Sequence, residues 1–244
     1  MTTKINVGFI GFGGQAEEQF DLITKTRHGS VVAITEIDPL RRDYVRNKFP
    51  AVSVYSNYKD MIGSEKLKVV YVCVPHSLHK EICMYAIKCG LNIIKEKPFT
   101  MNSTEALELT EMIKKSNVSV LNLMQRRQHS AYTWASHHLD CLGNIFLFQG
   151  TYTFNGGPYN YGWRGVKAIS GGGAIIDMGY HILDMILWFF GRPESVFAVS
   201  TNKSRADVEY ETEDSAILTF KYPELSNQVR KNHLLIRNIL YEYF

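Results

Sequence analysis

The stretch Ile5-Asn6-Val7-Gly8-Phe9-Ile10-Gly11-Phe12-Gly13-Gly14-Gln15-Ala16 decides the fold. Its first six residues form an apolar run with a β-branched bias, which reads as a strand. Gly11 to Ala16 then spells G-x-G-x-x-A directly after that strand, and helical composition continues through about Thr24. Each position has a physical task. Gly11 permits a tight turn, Gly13 lets the backbone approach a pyrophosphate, and Ala16 is small enough for close helix–strand packing. The phosphate charge then meets a helix N-terminus, with Phe12, Gly14 and Gln15 completing the loop.

The next strand gives the motif its meaning. A second β-branched run, Val31 to Ile37, contains Glu36, which lies 20 residues beyond Ala16. A ribose-binding acid is expected about 20 residues after such a loop, at the end of the next strand. A carboxylate there accepts both ribose hydroxyls and repels a 2′-phosphate, so NAD is favoured over NADP. Arg41 and Arg42 lie close enough to keep NADP open. Pro39 opens another helix, reaching about Phe49.

The alternation continues through Val69 to Val74 (strand), His79 to Lys88 (helix, stopped by Gly90), Leu91 to Ile94 (strand), a helix capped by Asn102 with Glu105 and reaching about Lys115, and Val118 to Leu123 (strand). Strands separated by helices indicate a parallel α/β sheet with right-handed crossovers. Residues 1–123 therefore read as a Rossmann-type, doubly wound dinucleotide-binding domain. Residues 124–244 read as a second domain.

Bulk properties bound the function. Of 244 residues, 45% are hydrophobic and 21% charged, an ordinary globular balance, with a net charge of +3. The basic pairs Arg41-Arg42, Lys114-Lys115, Arg126-Arg127 and Arg230-Lys231 are scattered, so no stripe points to nucleic acid. Ile182 to Phe190 is too short to span a bilayer and contains Asp184. Cys73, Cys83, Cys89 and Cys141 show no metal spacing, so no metal is expected. Cysteine usage of this kind, with no secretory leader, points to the cytoplasm.

Ligands of such sheets bind outside the carboxyl ends of the strands. Two segments fall there: Val74-Pro75-His76-Ser77-Leu78-His79 and Lys95-Glu96-Lys97-Pro98. The second half adds Trp163-Arg164, then Gly171-Gly172-Gly173-Ala174-Ile175-Ile176-Asp177-Met178-Gly179-Tyr180-His181-Ile182-Leu183-Asp184. Together these resemble the P-x-x-x-H, E-K-P and W-R…G-G-G-x-L-x-D-x-G-x-H-x-x-D segments of the Gfo/Idh/MocA family, over about residues 4 to 222.

The resemblance implies a second α/β domain with an open, mostly antiparallel sheet. Independently, Ile145 to Phe154, Val196 to Thr201 and Ser215 to Tyr222 read as strands, and Asp177 to Phe190 as a helix. It also implies cofactor contacts from Gly11 to Ala16, Glu36, Pro75, His76, His79, Glu96 and Lys97. Lys97, Asp177 and His181 become the catalytic set, and Trp163 and Arg164 join those three in substrate binding. If the helix begins at Asp177, Asp177 and His181 are i and i+4 and share a face. His181 titrates near neutrality, which suits a base, and Lys97 offers three donors to a developing negative oxygen. Which of the two takes the proton stays open. Tyr152, Tyr159, Tyr161, Arg126 and Arg127 are further cleft candidates, and the Lys97-Pro98 bond is expected to be cis by the same resemblance.

The implied function is hydride transfer between NAD(P) and a secondary alcohol of a neutral polyol: a sugar, cyclitol or related diol. An NAD-dependent glycosidase and a non-catalytic NAD-sensing regulator are the alternatives on the same fold. Full-length relatives are expected to form homo-oligomers. Residues 226–244 do not align to the family and are apolar on several helical faces, so the second sheet is expected to be incomplete.

Overall fold

The computed structural model describes residues 4–143, 145–153, 162–204 and 206–222, and the backbone of a strand at His233–Leu240. The chain divides into two compact units, Met1–Leu123 and Met124–Phe244.

In the first unit the elements run β1 (Ile5–Ile10), α1 (Gly14–Lys25), β2 (Gly29–Thr35), α2 (Pro39–Lys48), β3 (Ser53–Tyr55), α3 (Tyr58–Ser64), β4 (Val69–Val72), α4 (His79–Lys88), β5 (Asn92–Lys95), α5 (Ser103–Lys114) and β6 (Val120–Asn122). The strands pair in the order β3-β2-β1-β4-β5-β6, all parallel. This is the doubly wound sheet the sequence predicts. Its central strands are apolar on both faces because helices cover both. Along β1, Val7 and Phe9 join a cluster with Phe20, Val45 and Tyr71, whereas Ile10 points the other way, toward Met61, Ile82 and Leu109. That period of two is the pleat itself.

The strand order reverses at β1, which has β2 on one side and β4 on the other. The crevice beyond such a switch point is where ligands bind, and Gly11 stands at its mouth. A side chain is forbidden there. A Cβ on Gly11 would sit 2.2 Å from Cys73 O, and its φ is +81°.

Several boundaries depart from the sequence reading. β2 ends at Thr35, not Ile37, so Glu36 lies just past the strand, its N–H bonded to Tyr55 O. The short β3 and α3 are additions to the predicted elements, since three residues of edge strand carry too little pattern to read. β5 runs to Lys95, one residue beyond the predicted end. The predicted cap of α5 is present: Asn102 accepts from Glu105 N–H at 2.9 Å, while Glu105 accepts from Met101 N–H at 3.2 Å.

The second unit contains α6 (Ser130–His138), β7 (Leu147–Thr153), α7 (Lys167–Ser170), α8 (Gly179–Phe190), β8 (Ser195–Thr201), β9 (Ser215–Lys221) and β10 (His233–Leu240). Its sheet has the order β7-β10-β9-β8; β10 is antiparallel to β9 and parallel to β7, and β8 is antiparallel to β9. Two of the three pairings are antiparallel, in keeping with the mostly antiparallel expectation. The segment containing residues 233–240, which reads from sequence as helix-like and outside the family pattern, instead supplies a central strand.

One apolar stripe of α8, Ile182, Ile186 and Phe190 at i, i+4 and i+8, packs on Ala216, Leu218 and Phe220 of β9. Each such fully buried side chain is worth about 1.5–3 kcal/mol. Ile217, one residue out of phase on β9, is exposed, as is all of β8. The helix therefore covers one face of β9, with Phe148 and Tyr152 of β7 partly buried beside it, and leaves β8 bare. No described helix is long and apolar enough to cross a membrane.

Candidate active site

The first unit gathers its candidate groups at the carboxyl ends of β1, β2, β4 and β5. Phe12 turns inward, fully buried, with its ring edge-on to Phe9, Phe20 and Phe49. Its main chain stays useful: Phe12 N–H donates to Glu36 Oε2 at 2.9 Å, and Asp38 N–H donates to Glu36 Oε1 at 3.0 Å. A carboxylate accepts about four hydrogen bonds, so Glu36 is fixed against the glycine loop and keeps capacity for hydroxyl donors. A Cβ on Gly13 or Gly14 would meet nothing within 4 Å. The loop therefore leaves its backbone open, and Gly13 starts α1 without a side-chain cap. Uncapped N–H groups at a helix start suit a phosphate. Ala16 is fully buried, as close packing requires, and Gln15 is exposed.

The two arginines near Glu36 are occupied. Arg41 Nε donates to Phe12 O at 2.7 Å and its Nη2 pairs with Glu17 at 2.8 Å. Arg42 Nη1 donates to Glu36 O and Ile37 O at 2.9 and 2.7 Å. Glu17 also accepts from Lys48 and Tyr44, and those partners hold its carboxyl below the usual range.

At the ends of β4 and β5, the Lys97-Pro98 bond is cis, as the resemblance implies. Glu96 accepts from the Tyr71 hydroxyl at 2.6 Å, and Tyr71 is buried with its ring stacked on Phe9, centroids 4.7 Å apart. Burial and the Glu96 charge push the Tyr71 hydroxyl well above its ordinary pKa. Lys97 is half-buried, and Pro75 precedes a 3-10 turn at His76–Leu78 in which His76 is buried.

His79 takes a different place from the one expected of a cofactor contact. It is fully buried, with Nε2 2.9 Å from Val74 O and Nδ1 2.9 Å from Lys95 Nζ. Both ring nitrogens are thus turned into the protein, so His79 supports the site's turns and offers a ligand no donor. Its partner Lys95 carries no motif that marks it in the sequence.

In the second unit, Asp177 is not on α8. It sits in the turn of residues 174–178, before Met178 and the helix start at Gly179. Irregular bonds build that turn: Asp177 N–H to Gly173 O, Gly179 N–H to Ala174 O and His181 N–H to Met178 O. Asp177 and His181 are therefore joined through a tight turn, and the expectation of one helical face is corrected. Both are buried, at 7% and 5% exposure. Arg164 Nε donates to Asp177 Oδ2 at 3.0 Å, and its guanidinium lies 4.4 Å over the Trp163 ring. Asp184 belongs to a second pair: Arg127 grips it with two bonds of 2.7 and 2.8 Å. Arg126 lies 5.3 Å over the Tyr152 ring. Tyr159 and Tyr161 fall outside the described residues.

A brace absent from the sequence reading fixes this turn. Glu211 accepts from Lys167 N–H at 2.8 Å, the Thr212 hydroxyl donates to Arg164 O at 3.0 Å, and Glu213 accepts from Ala174 N–H through its carbonyl and from Ile175 N–H through Oε1. Asp214, fully buried, accepts from Ser204 N–H and from the hydroxyls of Tyr210 and Ser215. The acidic run Glu211-Thr212-Glu213-Asp214 just before a strand was the available signal. Gly173 is obligatory for the fit, because its Cβ would stand 1.9 Å from Glu213 O.

The model of the oxidoreductase family with an NAD-binding Rossmann fold, GFO_IDH_MocA, matches residues 5–123, and that of the GFO/IDH/MocA C-terminal domain matches residues 140–229. The chain belongs to the Gfo/Idh/MocA family. It is 29% identical over 204 residues to Oxidoreductase P35 of Formosa agariphila (strain DSM 15362 / KCTC 12365 / LMG 23005 / KMM 3901 / M-2Alg 35-1), covering 80% of this chain and 64% of that one. It is 26% identical over 229 residues to the scyllo-inositol 2-dehydrogenase (NADP(+)) IolW of Bacillus subtilis (strain 168), covering 91% of this chain and 61% of that one. The chain thus spans less than two thirds of either relative. Its fold is like that of a levoglucosan dehydrogenase solved in complex with NADH and levoglucosan, with a TM-score of 0.81, 22% identity, and coverage of 96% of this chain and 67% of that one. Among the described residues, no group of three or more His, Cys, Asp or Glu is placed to hold a metal.

Proposed function

We propose that this Gfo/Idh/MocA chain serves an NAD-dependent dehydrogenase acting on a secondary alcohol of a sugar, cyclitol or related diol. One observation carries the reading: Asp177 and His181 are buried polar groups held together in a single braced turn, at positions that match the family's D-x-G-x-H segment. Relatives named for scyllo-inositol and levoglucosan support the polyol class. Two arginines of this region, Arg127 and Arg164, each face an aspartate, and a third, Arg126, lies over the Tyr152 ring; the two paired charges favour a neutral substrate over an acid.

The first unit's residues fit a dinucleotide. Gly11, Phe12, Gly13, Gly14, Gln15 and Ala16 give the pyrophosphate an open backbone at the start of α1, and Glu36 takes the ribose hydroxyls. With Arg41 and Arg42 bound to protein oxygens, NAD is preferred to NADP. Bound nicotinamide supplies the hydride acceptor. Pro75, His76, Glu96 and Lys97 shape the nicotinamide end. By the family resemblance, Lys97 of the first unit and His181 of the second are each assigned to the alcohol group, as the holder of its oxygen or the acceptor of its proton. Asp177 orients the alcohol, while Trp163 and Arg164 bind the rest of the polyol.

The test is NADH formation by the purified chain against a panel of sugars, inositols and diols, in parallel with NADP. Turnover with a neutral polyol and NAD is expected. NADH binding without turnover on any of them would remove the dehydrogenase reading.

A further inference from the structure

Lys95 ends β5 at 0% exposure, a state lysine almost never adopts unless its charge is met. The side chain's Nζ lies 2.6 Å from Pro98 O, 3.0 Å from Glu96 O, 3.0 Å from Phe99 O, 3.3 Å from Asn122 Oδ1 and 2.9 Å from His79 Nδ1. Three of these five acceptors are carbonyls of the turn that carries Lys97. Left without a cation, carbonyl dipoles converging on one point would repel each other.

The surrounding groups keep the ammonium charged and the imidazole neutral. Burial pulls the Lys95 pKa down to about 8, opposed by Cys83 and Glu96, so it is a cation at neutral pH. Burial and the Lys95 charge pull the His79 pKa down to about 3. His79 Nδ1 lies 2.9 Å from Lys95 Nζ and 3.0 Å from Pro98 O, while Nε2 faces the Val74 carbonyl at 2.9 Å; the neutral ring therefore donates from Nε2 to Val74 O and accepts from Lys95 at Nδ1. The titratable groups around the pair are His79 and Cys83 from α4, Glu96 at the end of β5, and His76 acting on His79 from the 3-10 turn. Asn122 faces it from β6. One chain of donors therefore runs from the carbonyls of the 96–99 turn through Lys95 and His79 to Val74, joining two turns that the sequence assigns to the cofactor.

We propose that Lys95 is a positioning residue, a tethered internal cation that holds the 96–99 turn and, through His79, the 74–79 turn, in the arrangement that presents Glu96 and Lys97. The inference rests on reading those turns as the nicotinamide end of the site. Misplacement of a reacting group by about 1 Å costs on the order of a hundredfold in rate, so the expected effects are large.

The test replaces the tethered cation with a free one. Lys95→Ala is expected to lower thermal stability and weaken NADH binding by on the order of tenfold or more. Ethylammonium or propylammonium chloride should restore both, while propanol or sodium chloride at equal concentration should not. Equal rescue by propanol would mean that Lys95 merely fills space, and no rescue by any amine would overturn the tethered-cation role. If Lys95→Ala does not fold, amide protection at Glu96, Lys97 and Phe99 of the wild type decides the matter, corrected for the intrinsic pH dependence of exchange. Protection should fall as pH rises through about 8; flat protection from neutrality to about pH 9 overturns the proposal. A wild-type chain that binds no NADH would instead sink the cofactor reading, leaving stability rescue and amide protection to judge Lys95 alone.

Discussion

Gly173→Ala should unfold the turn that carries Asp177, and the cost can be worked from two distances. An added Cβ would stand 1.9 Å from Glu213 O and 2.9 Å from the Glu213 nitrogen and carbonyl carbon. Contacts under 3.0 Å are essentially never seen, so the two backbones must part by 3.0 − 1.9 = 1.1 Å. That parting breaks the 2.7 Å bond from Ala174 N–H to Glu213 O. Overpacking costs about 1–3 kcal/mol and the lost bond about 1 kcal/mol, for a sum of roughly 2–4 kcal/mol against a typical domain stability of about 5–15 kcal/mol. The assay is built into the sequence. All three tryptophans, Trp134, Trp163 and Trp188, lie in the second unit, so tryptophan fluorescence in a urea titration reports on that unit alone. The midpoint should fall clearly in Gly173→Ala and barely in Gly172→Ala, whose Cβ would approach only side chains, at 3.3 Å or more. Equal midpoints for Gly173→Ala and wild type would refute the brace.

Glu36→Ala removes the acceptor of the Phe12 and Asp38 N–H groups; NAD affinity should drop about tenfold or more, since each charge-assisted bond is worth about 1.5–3 kcal/mol. Discrimination against NADP should relax as well, and an unchanged NAD/NADP ratio in binding titrations would retire the ribose assignment. His79 gives a pH prediction. The folded pKa is about 3 against an ordinary 6.5, so the unfolded chain binds the extra proton between those values. Stability is then unaffected by this group above about 6.5 and falls as pH drops below it, by up to about 1.4 kcal/mol per pH unit. Urea midpoints measured across that window should show the slope in wild type and a shallower one in His79→Gln; parallel slopes would exclude His79 as the source.

The parallel sheet was legible because it is written locally. The G-x-G-x-x-A loop, the strand runs and the Asn102 cap each lie within a few residues, and local pattern is what sequence reading detects. What stayed hidden was nonlocal. Glu213 braces Ala174 from 39 residues away, across 213 − 174 positions, and no spacing rule announces such a contact. Lys95 reads from sequence only as the first residue after a strand, because it is the folding of residues 96–99 back over it that turns that lysine inward. Asp177 and His181 stand out as a pair, but the i, i+4 spacing concealed an irregular turn caused by the Gly171-Gly172-Gly173 entry and the Glu213 contacts. The strand at His233–Leu240 was obscured by apolar residues that keep to no single helical or alternating period.

The most direct measurement compares NADH formation by wild type and His181→Ala on a polyol that wild type oxidises, with NADH affinity measured in both. Turnover is expected to fall by at least about a hundredfold while NADH affinity stays within error. Undiminished turnover in His181→Ala would contradict the proposed chemistry, and would take it away from the turn that buries Asp177 and His181.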